Sequence, residues 1–160
     1  MPQLRKDILE VSGCTASWGV VKILKKILTR LHKEKIIAGK IVLSVSFVDT
    51  TLMLRLNTHY RKKRKVTDIL SFEQKSLSPQ NASFLGDLVL CTPVVKKQAK
   101  QFQHSIQKEL EILLTHGILH LLGYDHERSD RAKTQMARLE KKLLINSSGL
   151  INRSSGRQKT

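Results

Sequence analysis

The sequence predicts a single α+β domain built on a mixed, partly parallel sheet of about four strands, with helices around it. Segments of alternating or continuous apolar residues, typical of strands, are interleaved with segments of helical periodicity. The stretches between the strand segments are long enough for the crossover connections that parallel strands require. The chain has 160 residues, a length that suits one domain with its own core.

In the first third of the chain, the pattern predicts a strand, a helix and a second strand. Residues 3–11 are a weak strand candidate. In residues 17–33, apolar side chains recur at helical spacing with lysines between them, which predicts an amphipathic helix with a basic outer face. Residues 40–48 largely alternate between apolar and polar side chains, as a strand with one buried face does.

The middle of the chain predicts a helix followed by two strands. Asp49 and Thr50 can cap a helix that runs to about residue 60. The pattern then predicts strands at residues 66–72 and 86–91, with a loop at residues 76–83 between them. A run of five basic residues precedes the first of these strands: Arg61, Lys62, Lys63, Arg64 and Lys65.

The last part of the chain predicts three helices and a tail. Thr92 followed by Pro93 indicates the start of a helix that extends to about residue 103. Longer helices are predicted at residues 105–122 and 130–144. Ser, Gly, Asn and Arg dominate from residue 146 onward, so we expect a domain at residues 1–145 and a basic, disordered tail at residues 146–160.

The chain is strongly basic, with 29 Lys and Arg against 13 Asp and Glu and a net charge of +16 at pH 7. Such a surface attracts polyanions, and nucleic acid is the polyanion that we expect. Charge alone leaves open a solvated basic face or an anionic membrane surface. One Trp, two Tyr and four Phe are scattered along the chain, which predicts contact with phosphates rather than a base-stacking platform of the RRM type.

The composition also argues against other classes of protein. No apolar run approaches the roughly 20 residues that a membrane span needs, and the N-terminal residues lack the apolar core of a signal peptide. Cys14 and Cys91 are too few and too unpatterned for a disulfide framework or a cysteine-based zinc site. We therefore expect a cytoplasmic protein with reduced thiols.

The strongest chemical signal is the spacing of His116, His120 and His126 around Gly123. Histidines four residues apart share one face of a helix, and a glycine can end that helix in the left-handed conformation and return the chain toward it. A lone histidine on an apolar helix is usually a packed core residue, but three at this spacing favour a metal site. Three imidazoles with an open fourth position suit a catalytic zinc rather than a structural one.

The same spacing occurs in metzincin proteases, whose general base is a glutamate directly after the first histidine. Gly117 stands at that place, which argues against peptide hydrolysis by the usual route. A glycine inside a helix is unfavourable, so it needs a reason. Close packing of the helix is slightly favoured, and the alternative is room for a bulky substrate beside the metal.

Residues 116–126, which contain the three histidines and Gly123, resemble the signature of the YbeY family. Its members are bacterial metal-dependent endoribonucleases, also described as rRNA maturation factors. Four other blocks resemble the family in the same order, and together they cover roughly residues 40 to 145: residues 56–61, 67–72, 85–90 and 136–140. The resemblance implies one Zn²⁺ per chain on the three histidines, cleavage of single-stranded RNA in 16S rRNA maturation and ribosome quality control, and the small ribosomal subunit as a partner. It also implies that Arg61 lies on the wall of a basic active-site cleft.

The chain departs from the family pattern directly after this arginine. Residues 62–66 replace the sequence Gly-Lys-Asp-x-Pro that the family commonly has, and Glu73 stands where a proline usually follows. The altered loop predicts stronger attraction for RNA phosphates through Lys62, Lys63, Arg64 and Lys65. Its geometry differs, so substrate preference is not carried over.

The predicted reaction is metal-assisted phosphodiester hydrolysis, in which zinc lowers the pKa of its bound water toward about 7 and Arg61 pairs with a phosphate. Asp68, Asp87 and Asp125 are candidates to orient the ligand imidazoles, with capping and turn roles equally open. For His59, a surface or packed role is favoured over proton transfer. Two other functions stay open: a metal-dependent hydrolase of another substrate, and a non-enzymatic ribosome-associated factor in which zinc holds the fold.

Overall fold

The computed structural model describes residues 7–13, 18–74 and 82–144. Within these residues the chain forms four strands and five helices. In chain order they are β1 Ile8–Ser12, α1 Val20–Lys33, β2 Lys40–Val48, α2 Thr50–Arg61, β3 Ile69–Glu73, β4 Ala82–Cys91, α3 Thr92–Gln101, α4 Ile106–Leu121 and α5 Asp130–Leu144.

The described strands form one mixed sheet in the order β1-β2-β4-β3. β2 pairs in parallel with β1 and with β4, while β3 pairs antiparallel with β4. Helix α1 connects the parallel pair β1 and β2, as a crossover connection must. The predicted α+β class and mixed sheet are confirmed, and β3 lies at one edge of the sheet.

The main core lies between one face of the sheet and helices α1 and α4. Alternate residues of β2, such as Leu43 and Val45, are fully buried there. A smaller cluster of Met53, Leu70 and Cys91 lies on the other face, where α2 packs. Eleven of the sixteen residues of α4 are buried, so side chains on its remaining face are held in fixed positions by the core.

The sequence-based boundaries differ most at β4, which begins at Ala82 rather than at residue 86. The pairing register skips Leu85, because Val42 pairs with Phe84 and Leu43 pairs with Gly86. The glycine therefore belongs to a β-bulge inside the strand and does not mark its start. Gly86 has φ +129, and a Cβ there would lie 2.1 Å from the Phe72 carbonyl oxygen.

Other boundaries shift by a few residues. β3 begins at Ile69 rather than at residue 66, and α3 ends at Gln101 rather than at residue 103. Cys91 occupies the N-cap position of α3 without a side-chain hydrogen bond, so Thr92 lies in the first turn of the helix. Asp49 caps α2 as predicted, by accepting a hydrogen bond from the Leu52 amide at 2.8 Å. Cys91 is a buried free thiol, and burial raises its pKa.

Several predictions concern residues outside the described ranges. These are the N-terminal part of the first strand, residue 17 of the first predicted helix, most of the loop at 76–83, Cys14 and the tail at 146–160. The first helix begins at Val20 and not at residue 17, because Gly19 is its N-cap in the left-handed conformation. Among the helices that the structure describes, none combines the length and apolarity needed to cross a membrane.

Candidate metal centre

The candidate metal centre consists of His116, His120 and His126, and it is built on the C-terminal end of α4. The helix begins after Ser105, whose hydroxyl accepts a hydrogen bond from the Lys108 amide at 3.1 Å. It ends at Leu121, and Gly123 follows with φ +92. The Gly123 amide donates to the His120 carbonyl at 2.9 Å and the Tyr124 amide donates to the Leu119 carbonyl at 3.0 Å. This pair of bonds is the Schellman arrangement, which reverses the chain as the sequence predicted.

The reversal brings the three histidines together. His116, His120 and His126 each offer one ligand atom, and these atoms all lie within 4.8 Å of one another. The Nε2 atoms of His116 and His120 are 3.1 Å apart, and the ring of His126 lies 5.5 Å and 5.1 Å from theirs between centroids. Nitrogens that bind one zinc ion at about 2.0–2.1 Å must lie roughly 3–4 Å apart, so small adjustments bring all three into range.

The low pKa of His120 and the unpaired Nδ1 atom of His126 favour the binding of a cation. Burial, together with repulsion from His116 and His126, lowers the pKa of His120 to about 4, so this ring is neutral at pH 7 as a metal ligand must be. The Nδ1 atom of His126 is buried with no hydrogen-bond partner among the described residues, which is costly unless a ligand satisfies the site. Within the described ranges no fourth His, Cys, Asp or Glu joins the group. The cluster can therefore hold a metal ion and leave a coordination position free.

Glu140 orients the first histidine, and the sequence analysis did not assign it this role. Its Oε1 atom lies 2.5 Å from Nδ1 of His116. A proton on Nδ1 then donates to the carboxylate, which leaves the lone pair of Nε2 directed at the other histidines. One signal was present: Glu140 lies four residues after Met136 and three before Leu143, and both of these α5 residues are buried. A carboxylate at this helical spacing shares their inward stripe.

The aspartates proposed for this role have other partners. Asp68 accepts hydrogen bonds from the Ile69 amide at 2.8 Å and from Gln98 at 3.2 Å. Asp87 accepts one from Gln74 at 3.1 Å. Asp125 accepts from the Glu127 amide at 2.8 Å, inside the turn that follows α4, and this bond is the main cause of its lowered pKa. The turn role is therefore supported for Asp125, whereas Asp68 and Asp87 bond side chains that are distant in the sequence.

Gly117 allows α4 to pack closely on the sheet. A Cβ atom at this position would lie 2.8 Å from the side-chain ends of both Ile69 and Leu88. The missing side chain therefore faces β3 and β4, which supports the packing interpretation over the one that reserved this space for substrate. The close approach also places the Gly117 carbonyl 3.5 Å from the Ser71 hydroxyl.

Arg61 reaches the same region from the end of α2. Its Nη2 atom donates to the Ser71 carbonyl at 2.9 Å, and the side chain is exposed. Since the Ser71 hydroxyl contacts Gly117, the residue after His116, one strand residue connects the arginine to the helix of the metal centre. His59 is exposed, and its ring contacts Tyr60 at 4.6 Å between centroids.

The basic residues after Arg61 form an exposed loop that a buried asparagine holds in place. Asn57 is 2% exposed, and its side-chain amide donates to the Lys65 carbonyl at 2.8 Å. The main-chain carbonyl of Asn57 accepts from the Lys63 amide at 3.3 Å. Lys62 has φ 58, a left-handed conformation that favours glycine. This explains why the family commonly has glycine there, and this chain keeps the conformation with a lysine instead. The side chains of residues 62–65 are all exposed.

The comparisons with known proteins agree with this architecture. Residues 15–148 match the family model for endoribonuclease YbeY, so the match extends further toward the N-terminus than the sequence analysis found. An endoribonuclease YbeY from Thermodesulfovibrio yellowstonii is 41% identical over 140 residues, covering 82% of this chain and 88% of that protein. The protein of the same name from Staphylococcus carnosus is 38% identical over 132 residues, covering 79% and 85%.

One solved structure supports the fold independently. The solution structure of a protein from Thermotoga maritima aligns with a TM-score of 0.53 at 23% identity, covering 95% of this chain and all of that one. At this identity the likeness concerns the fold. The family model and the curated relatives cover most of the chain, and the histidine cluster lies within the matched region. The chain therefore belongs to the YbeY endoribonuclease family.

Proposed function

We propose that the protein is a metal-dependent endoribonuclease that hydrolyses phosphodiester bonds in single-stranded RNA. The observation that carries this proposal is the convergence of three imidazoles, one of them held neutral by its surroundings, in a basic chain. The curated relatives are named as endoribonucleases, and their name supports RNA as the substrate.

Zinc is the ion that the donor set fits best. Three imidazoles with no fourth protein ligand in the described residues match the ligand set of catalytic zinc sites. When bound, Zn²⁺ would polarise a phosphoryl oxygen and lower the pKa of a water molecule at the free position. His116, His120 and His126 would hold the ion, and Glu140 would keep the proton of His116 on Nδ1.

Arg61 and the basic loop would bind the substrate. The guanidinium of Arg61 uses Nη2 on the Ser71 carbonyl, and its other donors remain able to pair with a phosphate. This contact would hold the scissile phosphodiester beside α4 and offset the charge that develops on it. Lys62, Lys63, Arg64 and Lys65, all exposed, would bind the flanking phosphates.

The biological setting belongs to the same proposal. RNA cleavage by a member of this family suggests a cytoplasmic role in 16S rRNA maturation and ribosome quality control, with the small ribosomal subunit as partner. A net charge of +16 favours association with a particle whose surface is rich in phosphates.

The test is loss of metal and of cleavage by the same substitutions. We expect His116→Ala and His120→Ala to abolish both bound zinc and cleavage of an unstructured RNA, because each removes one ligand of three. His32→Ala, on α1, is the matched control and should keep both. RNA cleavage that persists in chelator and in both ligand variants would refute the proposal. Cleavage of peptides but not RNA would favour another hydrolase, and zinc binding with no hydrolysis of any substrate would favour the structural role.

A further inference from the structure

Two aromatic residues that are far apart in the sequence meet beside Arg61. The rings of Tyr60 and Phe72 lie 5.0 Å apart between centroids at an angle of 70°. Tyr60 is 58% exposed, the largest exposed fraction among the exposed large hydrophobic residues of the described chain. The aromatic residues are scattered along the sequence, and the contact between α2 and β3 brings these two together.

The aromatic pair and the metal centre flank the same edge strand. Ile69 and Ser71 of β3 contact Gly117 of α4. Phe72 points to the opposite face, where it packs against the cluster that contains Met53 of α2. Arg61 donates to the Ser71 carbonyl between these two faces. A strand of RNA that crosses β3 at Arg61 therefore has the histidines on one side and Tyr60 on the other.

The surroundings of Tyr60 favour a nucleobase over other partners. The next five residues along the chain are all cationic and exposed, so the surface attracts a polyanion. An apolar partner would have to cover these charges, whereas a nucleic acid offers phosphates for them and flat aromatic faces for the ring. A base can stack in this way only when it is free of a duplex, since pairing hides its faces.

We propose that Tyr60 forms a base-stacking subsite for an unpaired nucleotide next to the phosphate held by Arg61. The inference rests on the proposed function and extends it, because it gives a physical reason for a single-stranded substrate. The edge-to-face contact with Phe72 supports the ring of Tyr60. Arg61 fixes the distance between the stacked base and the metal centre. Stacking accepts every base, so the subsite selects for strand state and not for sequence.

The test measures binding separately from cleavage. The metal-loaded protein is titrated, with fluorescence anisotropy as the readout, against an unstructured DNA strand of about ten nucleotides, which has the same base faces without the 2′-hydroxyl groups. We expect Tyr60→Ala to weaken binding by about 5- to 100-fold and Tyr60→Phe to keep it. Leu52→Ala is the matched control, because Leu52 is an exposed apolar residue at the other end of α2, and it should bind like the wild type.

An abasic strand distinguishes stacking from a structural role. Replacing every nucleotide of the strand by an abasic unit should weaken binding to the wild type more than to Tyr60→Ala, so that the difference between the two proteins disappears. The dependence on salt should be unchanged in Tyr60→Ala, since stacking releases no counterions. Equal abasic penalties in the two proteins, or binding by Tyr60→Ala within about twofold of the wild type, would overturn the subsite. If binding depends on Tyr60 but RNA is not cleaved, the enzyme proposal fails and the subsite stands.

Discussion

At the scale of single residues, Glu140 is the side chain whose importance the structure reveals most directly. Its contact with Nδ1 of His116 sets which nitrogen of that ring can face a cation. We expect Glu140→Gln to lower the affinity for zinc by about 10- to 100-fold, because partners of ligand histidines typically contribute that much. Competition with a chromophoric chelator measures the affinity.

Two comparisons separate orientation of the ligand from other effects of Glu140→Gln. Glu127→Gln removes an exposed carboxylate from the connection between α4 and α5 and should leave the affinity unchanged. Saturating zinc should restore RNA cleavage in Glu140→Gln if the role of Glu140 is to orient His116. An affinity equal to the wild type, or a loss of cleavage that excess zinc does not repair, would contradict this role.

The residues of the site differ in how far the sequence reveals them. The histidines and Gly123 form a local pattern within eleven residues, and helix geometry alone places two of them on one face. Glu140 is 24 residues from its partner and lies on a different helix, so only the packing of α5 against α4 makes the contact. Tyr60 and Phe72 meet for a similar reason, through the packing of α2 on β3.

At the scale of secondary-structure elements, the sequence predicted the type of all nine described elements, and the errors concern their ends. The start of β4 could not be read locally, because Gly86 suggests a strand boundary when seen alone. Its place inside a bulge follows only from the pairing with β2. The helix caps at Asp49 and the reversal at Gly123 are local hydrogen-bond patterns, and both were predicted.

The connection between α2 and β3 depends on one buried amide. The Asn57 side-chain amide donates to the Lys65 carbonyl, and the Lys63 amide donates to the main-chain carbonyl of Asn57. We expect Asn57→Ala to lower the free energy of unfolding by about 1–3 kcal/mol, since the Lys65 carbonyl loses its donor and a buried side chain is truncated. It should also weaken RNA binding, because the loop cations are no longer held in position. Urea unfolding and RNA titration measure the two effects.

Thr58→Ala provides the comparison for Asn57→Ala. Thr58 is the next residue on α2, is exposed, and donates only to the Leu54 carbonyl within its own helix. It should change the unfolding free energy by less than about 0.5 kcal/mol and leave RNA binding intact. If both variants behave alike, the loop does not depend on Asn57.

At the scale of the whole molecule, charge and burial act in opposite directions on the metal centre. The chain carries +16, which attracts RNA but repels any further positive charge. The centre lies at the end of a helix embedded in the core, so its histidines are partly removed from water. The centre can hold a cation because three imidazoles converge there and the low pKa of His120 removes one competing charge.

The burial of His120 predicts how the metal-free protein responds to acid. Its pKa in the folded state is about 4, against a usual value of 6.5, because burial and the neighbouring histidines disfavour the charged ring. Above pH 6.5 neither the folded nor the unfolded chain is protonated at this site. As the pH falls from 6.5 toward 4, His120 binds a proton in the unfolded chain but not in the folded chain, so the free energy of unfolding decreases.

Urea unfolding in chelator at a series of pH values between 7 and 4 measures this decrease. The variant His120→Gln removes the titrating ring and should show a shallower loss of stability over the same range. The unfolded chain then binds one proton fewer, so the folded and unfolded states differ less in the number of protons bound. His32→Ala should follow the wild type. If His120→Gln and the wild type lose stability in parallel, His120 does not cause the decrease in the free energy of unfolding, and other residues of the chain cause it.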